Sequence, residues 1–531
     1  MALVPGGELM RRAAAGLAAI CAGLLRDGAG GVYGGRVVIL AGTGDNGADA
    51  LYAGALLARR GAAVTVIAAG ASLHARAAAE MRAAGGRFLP MAAHRAADDT
   101  RQDSGAARAA GHDLRHAIGH ADLIIDGLLG IGGKGGLREP YATLAQLAAN
   151  ARNATTVAVD LPSGIDADTG TVAGPAVRAD VTVTFGAVKP GLLIDPGKGR
   201  AGVVELVDIG LTPYLDGRPD ARAPQATDIA GLIPRPAPES DKYRRGVLGL
   251  LAGSARYTGA ALLATGGAVR GGAGLVRLVT CPSAAAAVRH LHPGVVITEL
   301  PEEATARSRE EDQFSGTHAG FQFPADVGRV QAWVAGPGMG VSADAAARLA
   351  GVLAADVPVL IDADGLTLLA GNRGLLPRPA PTLLTPHAGE LGRLLGVDPA
   401  DVAQRRLEHA RRAATEFGAC VLLKGSTTVV APPDGLDPVL VNTTGTSWLA
   451  TAGTGDVLAG LAGALLAQGV LPPQAAIAAA YLHGLAAQLA ADGGGAGTEG
   501  GAHGAAPISA ADVVDALRLA FRTTSGHGQP R

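Results

Sequence analysis

Large aromatic side chains are scarce here: Phe, Trp and Tyr together make 3% of the 531 residues. Hydrophobic residues still reach 48%, and alanine supplies much of that share. A core without big rings has to come from small aliphatic side chains and close helix–sheet packing. Cysteine is nearly absent: Cys21, Cys281 and Cys420 are odd in number, far apart, and form no CxxC pair. That excludes a zinc ribbon and a disulfide framework and fits a reduced, cytoplasmic protein. Charge of one sign is also missing. Charged residues are 17% and the net charge is −2, so no broad basic field recruits nucleic acid. Phosphate ligands would have to be met by local loops. No strongly apolar run is long enough to span a bilayer, so no membrane span is expected. Arg11-Arg12 ahead of Ala13–Leu25 imitates a secretion signal, but the run leads straight into Arg26-Asp27 and reads as a packed helix.

Glycine is abundant, at 79 residues. Much of it stands where an apolar run ends. Arg36–Ala41, Val64–Ala68, Asp122–Asp126, Thr156–Asp160, Val181–Phe185 and Val203–Asp208 read as short buried strands separated by helical lengths. That alternation predicts a mainly parallel sheet with helices on both faces. Residues 92–120 read as a polar surface insertion without a period. Leu211–Pro238 carries six prolines, suited to an inter-domain connection. A second series follows: Gly246–Ala252, Gly274–Val279, Ala332–Ala335, Val359–Asp362, Thr382–Leu384 and Cys420–Lys424. Residues 301–326 read as another polar insertion. Asp492–Pro507 reads as a Gly/Ala-rich loop before a last helix, Ser509–Arg522. The length and the two series predict two domains.

The most informative stretch runs from Asn442 to Gly460. It sets Gly453, Gly455 and Asp456 at the front of the apolar run Val457–Leu466. A helix starting there points free N–H groups outward and makes an anion site. An acid at that place can take a proton from a hydroxyl while the loop holds a phosphate. The helix terminus also favours the ionised acid, so Asp456 is expected to be a carboxylate at neutral pH. Further motifs stand at strand ends in the same half: Gly253–Ala261, Gly336–Gly340, Asp362-Ala-Asp, Thr385-Pro-His-Ala-Gly-Glu390 and Lys424–Thr428. Taken singly, His387 reads as a helix-start residue, Asp362 and Asp364 as caps, and Lys424-Gly-Ser as a turn. Together they resemble the ADP-dependent NAD(P)H-hydrate dehydratases, within the ribokinase-like enzymes, over nearly all of residues 235–490. The resemblance implies adenine-nucleotide contacts from Lys424, Gly425, Ser426, Thr427, Thr428 and Gly455. It implies hydrate contacts from Ala260, Gly338, His387 and Asp456, with Asp456 catalytic. Trp448 stands where the family commonly has a smaller or more flexible residue and is expected to pack.

In the first half, Gly42-Thr-Gly-Asp-Asn-Gly-Ala-Asp49 lies between a strand and a helix. Asp126–Gly136, Asp160–Gly170 and Lys189-Pro-Gly follow other strands. The Asn46 amide, Asp126 carboxylate and Ser163 hydroxyl are hard oxygen donors suited to an alkali or alkaline-earth cation; Asn46 and Asp126 could equally be helix caps. The set resembles the NAD(P)H-hydrate epimerase domain over most of residues 8–210. That implies potassium on Asn46, Asp126 and Ser163. It implies dinucleotide contacts from Asp45, Asn46, Gly47, Ala48, Asp49, the loop Gly130, Ile131, Gly132, Gly133, Lys134, Gly135 and Gly136, and Asp160. Asp160 is the candidate acid/base, with Lys189 a second candidate. Asp45 stands where the family usually has Asn, adding negative charge near a phosphate. Ala48 stands where it usually has Gly, and its methyl is expected to crowd the backbone approach. The helix that normally precedes Leu9-Met10 is missing or cut short.

The fold class expected is α/β in two domains, an N-terminal Rossmann-like three-layer sandwich and a C-terminal ribokinase-like α/β/α sandwich. The boundaries are 1–212 for the epimerase domain, 213–238 for the linker and 239–525 for the dehydratase domain. The implied function is repair of hydrated nicotinamide cofactors: epimerisation of R and S hydrates (NADHX, NADPHX), and ADP- and Mg²⁺-dependent dehydration of the S form, releasing AMP and phosphate. A homo-oligomer is expected. Two alternatives stay open: a sugar or hydroxymethylpyrimidine kinase that keeps its phosphoester, and a cofactor-binding protein with an inactive first half.

Overall fold

A computed structural model describes residues 7–526 apart from 71, 91–103, 216, 301–322, 436 and 494–504. The chain forms two compact units, Met1–Arg218 and Pro219–Arg531. In the first, seven strands make one sheet: β1 (Arg36–Ala41), β2 (Ala63–Ala68), β3 (Arg87–Pro90), β4 (Leu123–Gly127), β5 (Thr155–Val159), β6 (Val181–Phe185) and β7 (Val203–Val207). Their order is β3-β2-β1-β4-β5-β6-β7, all parallel. Strands β4 and β6 are buried along their whole length, as a parallel sheet covered on both faces requires. Helices Glu8–Gly28 and Asp45–Arg59 bury Leu17, Leu25, Leu51 and Leu57 in the core of one face. The other face packs Leu114 and Ile118 with Leu144 of helix Tyr141–Asn150.

One expectation holds here and one changes. Arg11–Leu25 lies inside the first packed helix, which begins at Glu8. Part of the stretch read as a polar insertion lies outside the described residues, but Ser104–Gly119 is a helix. Leu114 and Ile118, four apart, supply its apolar stripe, too sparse to register as a period among the exposed histidines.

In the second unit the strands are β8 (Ala221–Arg222), β9 (Val247–Leu251), β10 (Leu275–Thr280), β11 (Val296–Glu299), β12 (Ala332–Ala335), β13 (Val359–Ile361), β14 (Thr382–Leu384), β15 (Cys420–Leu423), β16 (Val429–Ala431) and β17 (Val439–Val441). The order is β11-β10-β9-β12-β13-β14-β15-β16-β17-β8. From β11 to β15 the pairs are parallel; β16 runs antiparallel to both neighbours. The proline-rich stretch does more than connect. Its β8 pairs with β17, and its helix Ala226–Leu232 buries Ile229 in the main core. Of the remaining insertions, residues 301–322 and 494–504 lie outside the described residues, and the last helix is Ala510–Gly526.

Small residues pack this core as the missing aromatics require. Helices Thr258–Arg270 and Thr454–Ala467 meet backbone to backbone: a Cβ at Gly460 would lie 1.9 Å from Ala264 O, and one at Gly267 would lie 2.2 Å from Val457 O. Only glycine permits that approach. The contact fixes where the helix start at Thr454 sits against the strand ends.

Candidate active sites

Each unit carries its motifs at the carboxyl ends of the strands, on either side of the point where strand order reverses. In the first unit that point lies between β1 and β4. The turn after β1 is pressed against the turn after β4: Gly42 N–H donates to Gly127 O at 3.0 Å, and a Cβ at Gly42 would lie 1.9 Å from Leu128 O. Asn46, buried in the first turn of the next helix, donates from Nδ2 to Leu129 O at 3.1 Å. Ser163, after β5, reaches the same carbonyl and the same residue's N–H. Its Oγ also donates to Asp126 Oδ1 at 2.7 Å, and its N–H donates to Asp126 Oδ2 at 2.8 Å. The three oxygen-bearing residues therefore gather around one peptide. Asp126 is fully buried, and burial pushes its pKa up to about 6 against the pull of the Ser163 and Leu128 bonds. Among the described residues no cationic side chain pairs with it. A buried carboxylate short of positive charge, flanked by amide, hydroxyl and carbonyl oxygens, fits a monovalent cation.

Around this cluster lie two more acids. Asp160 sits at the end of β5 in the left-handed region, φ 66°, unusual for a residue other than glycine. It accepts from Thr184 Oγ1 at 3.2 Å and forms an ion pair with Lys189. Lys189 Nζ also donates to Thr184 Oγ1 and Phe185 O, both at 3.0 Å. Asp49 faces inward, and its Oδ1 is buried without a partner. Burial, then the neighbouring Asp160 and Asp45, push its pKa up to about 7. The loop from Gly130 to Gly136 runs over Asn46 and is exposed at Ile131, Gly132, Lys134 and Gly135.

In the second unit strand order reverses between β9 and β12. Gly338, in the left-handed region at φ 60°, lets the turn after β12 lie on the helix after β9; a Cβ there would lie 2.7 Å from Ala260 Cβ. Asp362 ends β13 and is buried; its Oδ1 accepts from Lys424 Nζ at 2.6 Å, and Glu390 Oε2 lies 3.7 Å from the same ammonium. A Cβ on Gly455 would face Lys424 Nζ at 3.5 Å, which brings the Gly453–Asp456 helix start to the same charge. Burial works to lower the Lys424 pKa, but Asp362, Glu390 and Asp456 more than reverse it and hold it above its ordinary value. Burial, then repulsion from Asp362, push Asp456 up to about 7, with Lys424 opposing and Asp364 and Glu390 adding to the rise. The expectation of a fully ionised Asp456 is thereby corrected. The helix terminus is outweighed by partial burial among three other carboxylates. His387 caps its helix, Nδ1 accepting from Gly389 N–H at 3.0 Å and Glu390 N–H at 3.3 Å, and its ring remains exposed at the rim.

Comparison with known proteins matches residues 248–501 to the family described as NAD(P)H-hydrate dehydratase and residues 6–191 to the family described as YjeF-related protein N-terminus. The bifunctional NAD(P)H-hydrate repair enzyme of Mycobacterium leprae is 43% identical over 98% of this chain and 96% of its own length. The chain belongs to the bifunctional NAD(P)H-hydrate repair enzymes. The Salinibacter ruber enzyme of the same name is 34% identical over 99% of this chain and 94% of its own. An ADP/ATP-dependent NAD(P)H-hydrate dehydratase of Bacillus subtilis, crystallised with ATP and Mg²⁺, is 29% identical, with a TM-score of 0.46, covering 56% of this chain and 97% of that one.

Within this family of enzymes, the departures at positions 45 and 48 take on physical form. Asp45 is exposed in the first helical turn. Ala48 does not crowd the loop as expected: its methyl is buried in the sheet's core, and its N–H donates to Gly44 O at 3.2 Å. Gly47 is likewise turned inward, a Cβ there meeting Gly42 O at 2.3 Å. In the second unit Gly425 and Ser426 are exposed, whereas Thr427 and Thr428 are buried. Trp448 is half-buried in the short turn Ser447–Leu449.

Sequence reasoning missed Arg406. It is 5% exposed and braces the strand-end turn from behind, Nη2 donating to Leu423 O at 3.2 Å and Lys424 O at 2.8 Å, Nε to Thr427 O at 3.2 Å. Nothing in Arg405-Arg406-Leu407 marks one arginine as buried. His483 was missed too. Burial pushes its pKa down to about 4, so a neutral ring backs the helix start.

Proposed function

We propose that the first unit interconverts the R and S hydrates of NADH and NADPH, and that the second dehydrates the S form with ADP as phosphate donor. The observation that carries this reading is the meeting of Lys424, Asp362, Glu390 and Asp456 at one strand-end rim, with Asp456 pushed up to about 7. An acid with that pKa takes a proton well from an alcohol near neutrality. Asp456 receives the proton of the ring hydroxyl, and the oxygen attacks the terminal phosphorus of ADP. AMP leaves, and the hydroxyl has become a phosphoester. The lone pair on the ring nitrogen then expels phosphate, and the resulting iminium loses a proton from the neighbouring ring carbon to restore the dihydronicotinamide. Lys424 sits where it offsets charge on the transferred group. A magnesium ion arriving with the nucleotide would neutralise phosphate charge.

In the first unit Asp160, held by Lys189 and Thr184, is the acid/base at the hydrated carbon's ring. Asn46, Asp126 and Ser163 would hold potassium, whose charge offsets Asp126 and helps seat an anionic substrate. The reading is tested by incubating the protein with mixed R and S hydrates, ADP and Mg²⁺. Recovery of NAD(P)H from both epimers, faster than spontaneous epimerisation, is the expected result. Recovery from the S form alone removes the first unit's role. A stable phosphoester with no NAD(P)H makes the second unit a kinase.

A further inference from the structure

Arg406 holds a place in the fold that the reading above leaves unused. It stands in the first turn of the helix Arg406–Phe417 and is 5% exposed. A guanidinium taken out of water has to meet acceptors. Here the acceptors belong to the hairpin β15–β16 and its loop, residues 424–428. Nη2 donates to Leu423 O at 3.2 Å and Lys424 O at 2.8 Å, and Nε donates to Thr427 O at 3.2 Å. These carbonyls thus turn inward onto one cation. The peptide between Lys424 and Gly425 is trans, so its N–H points away from its carbonyl. Gly425 N–H is therefore aimed away from Arg406, toward the side on which Gly425 and Ser426 are exposed. One peptide back, Lys424 N–H donates to Pro386 O at 2.8 Å, which ties the loop to the rim that carries His387 and Glu390.

Gly425 shows how close the arrangement is. A Cβ there would lie 2.5 Å from Arg406 Nη2 and 2.8 Å from its Cζ, so only glycine lets the loop lie against the guanidinium. Inward carbonyls, an outward N–H and a fixed positive charge behind them suit a loop to phosphate oxygens. We infer that Arg406 is a positioning residue for ADP: it draws the loop's carbonyls away from the ligand and backs the loop with positive charge, so that the diphosphate meets N–H groups and not carbonyl oxygens. The inference rests on the reading of Lys424–Thr428 as the nucleotide loop. Arg406 acts through the peptides of that loop and not by contact with the nucleotide.

The test uses the full-length protein and calorimetry with ADP, with adenosine and with purified S hydrate. Arg406→Gln, which lacks the charge and part of the fork, is expected to weaken ADP binding about tenfold or more, the scale of a lost bond to a charged group. Adenosine and hydrate should bind as they do to the parent. Arg406→Lys keeps the charge and should recover part of the loss. Gly425→Ala keeps the charge and the fork but pushes the loop off the guanidinium. It should weaken ADP binding in the parent and add less in the Arg406→Gln background, since both changes break one contact. Should Arg406→Gln fail to fold, Gly425→Ala alone decides. ADP affinity equal to the parent's in the folded single variants overturns the inference. So does a loss shared equally by ADP and adenosine, which a merely structural prop would give. A parent protein that binds no ADP removes the nucleotide reading of the loop, and the inference with it, before any variant is compared.

Discussion

Lys424 Nζ stands 2.6 Å from Asp362 Oδ1 and holds Glu390 Oε2 at 3.7 Å, so one ammonium answers two carboxylates, one just after β13 and one in the helix Ala388–Leu395. Removing it strands Asp362, which is buried. Lys424→Ala should therefore lower stability by about 3 kcal/mol or more. It should also weaken ADP binding more than hydrate binding, and move Asp456's titration further to the alkaline side. Calorimetry with ADP and a pH–rate profile read both. Equal ADP affinity in parent and variant would remove Lys424 from the nucleotide site.

Asp456 gives a pH signature. Its pKa is raised from 3.8 to about 7, so dehydration should fall as pH drops below 7, where the base is protonated. The stability sign is opposite to that of a salt-bridged acid. The folded chain holds this proton more tightly than the unfolded chain. Asp456 therefore supports folding at acid pH, and that support fades as pH rises through about 7. Asp456→Asn should lose dehydration by about a hundredfold or more and keep ADP binding. Above neutrality its melting temperature should match or exceed the parent's. Near-normal turnover would reduce Asp456 to a helix-start residue.

Asp126 accepts two bonds from Ser163 and one from Leu128 in a fully buried setting. Asp126→Ala leaves those donors unpaired and should cost about 1–3 kcal/mol. Epimerisation should collapse while dehydration of the purified S form continues. In the parent, replacing potassium with a bulky organic cation should slow epimerisation only. A rate indifferent to both changes would dismiss the cation site.

Asp45 is exposed, so its charge is screened. Asp45→Asn should tighten hydrate binding by the first unit, by about 1 kcal/mol. It should also lower Asp49's titration point, because Asp45 is one of the charges raising it. Affinity that stays the same or worsens would mean Asp45 itself contacts the substrate.

Gly460 tests the packing. A Cβ there would lie 1.9 Å from Ala264 O, backbone that has nowhere to yield. Gly460→Ala should cost about 1–3 kcal/mol, seen as a lower melting temperature.

The strands written as continuous apolar runs, such as Val181–Phe185 and Ala332–Ala335, were legible because a fully covered parallel strand has no polar face to interrupt it. Arg87–Pro90, Val296–Glu299, Val429–Ala431 and Val439–Val441 were not; they stand toward the sheets' outer strands, away from the central series. The site motifs were legible as strand-end loops. Their electrostatics were not. Asp456 reads locally as an acid at a helix start, and the carboxylates that raise it, Asp362, Asp364 and Glu390, are far off in the chain. Arg406 was invisible for the same reason: its partners are carbonyls of a turn that only the fold brings beside it.

Asp160 carries a further consequence through its backbone. At φ 66° it occupies a conformation that glycine adopts freely and asparagine tolerates, but that β-branched and bulky residues resist. The replacements that spare the fold are thus the ones that delete the carboxylate. Under relaxed selection the first unit would fall silent before it fell apart, leaving a sound scaffold beside an idle pocket. A folded, well-expressed relative with Asn or Gly at this position should then be screened for lost epimerisation first.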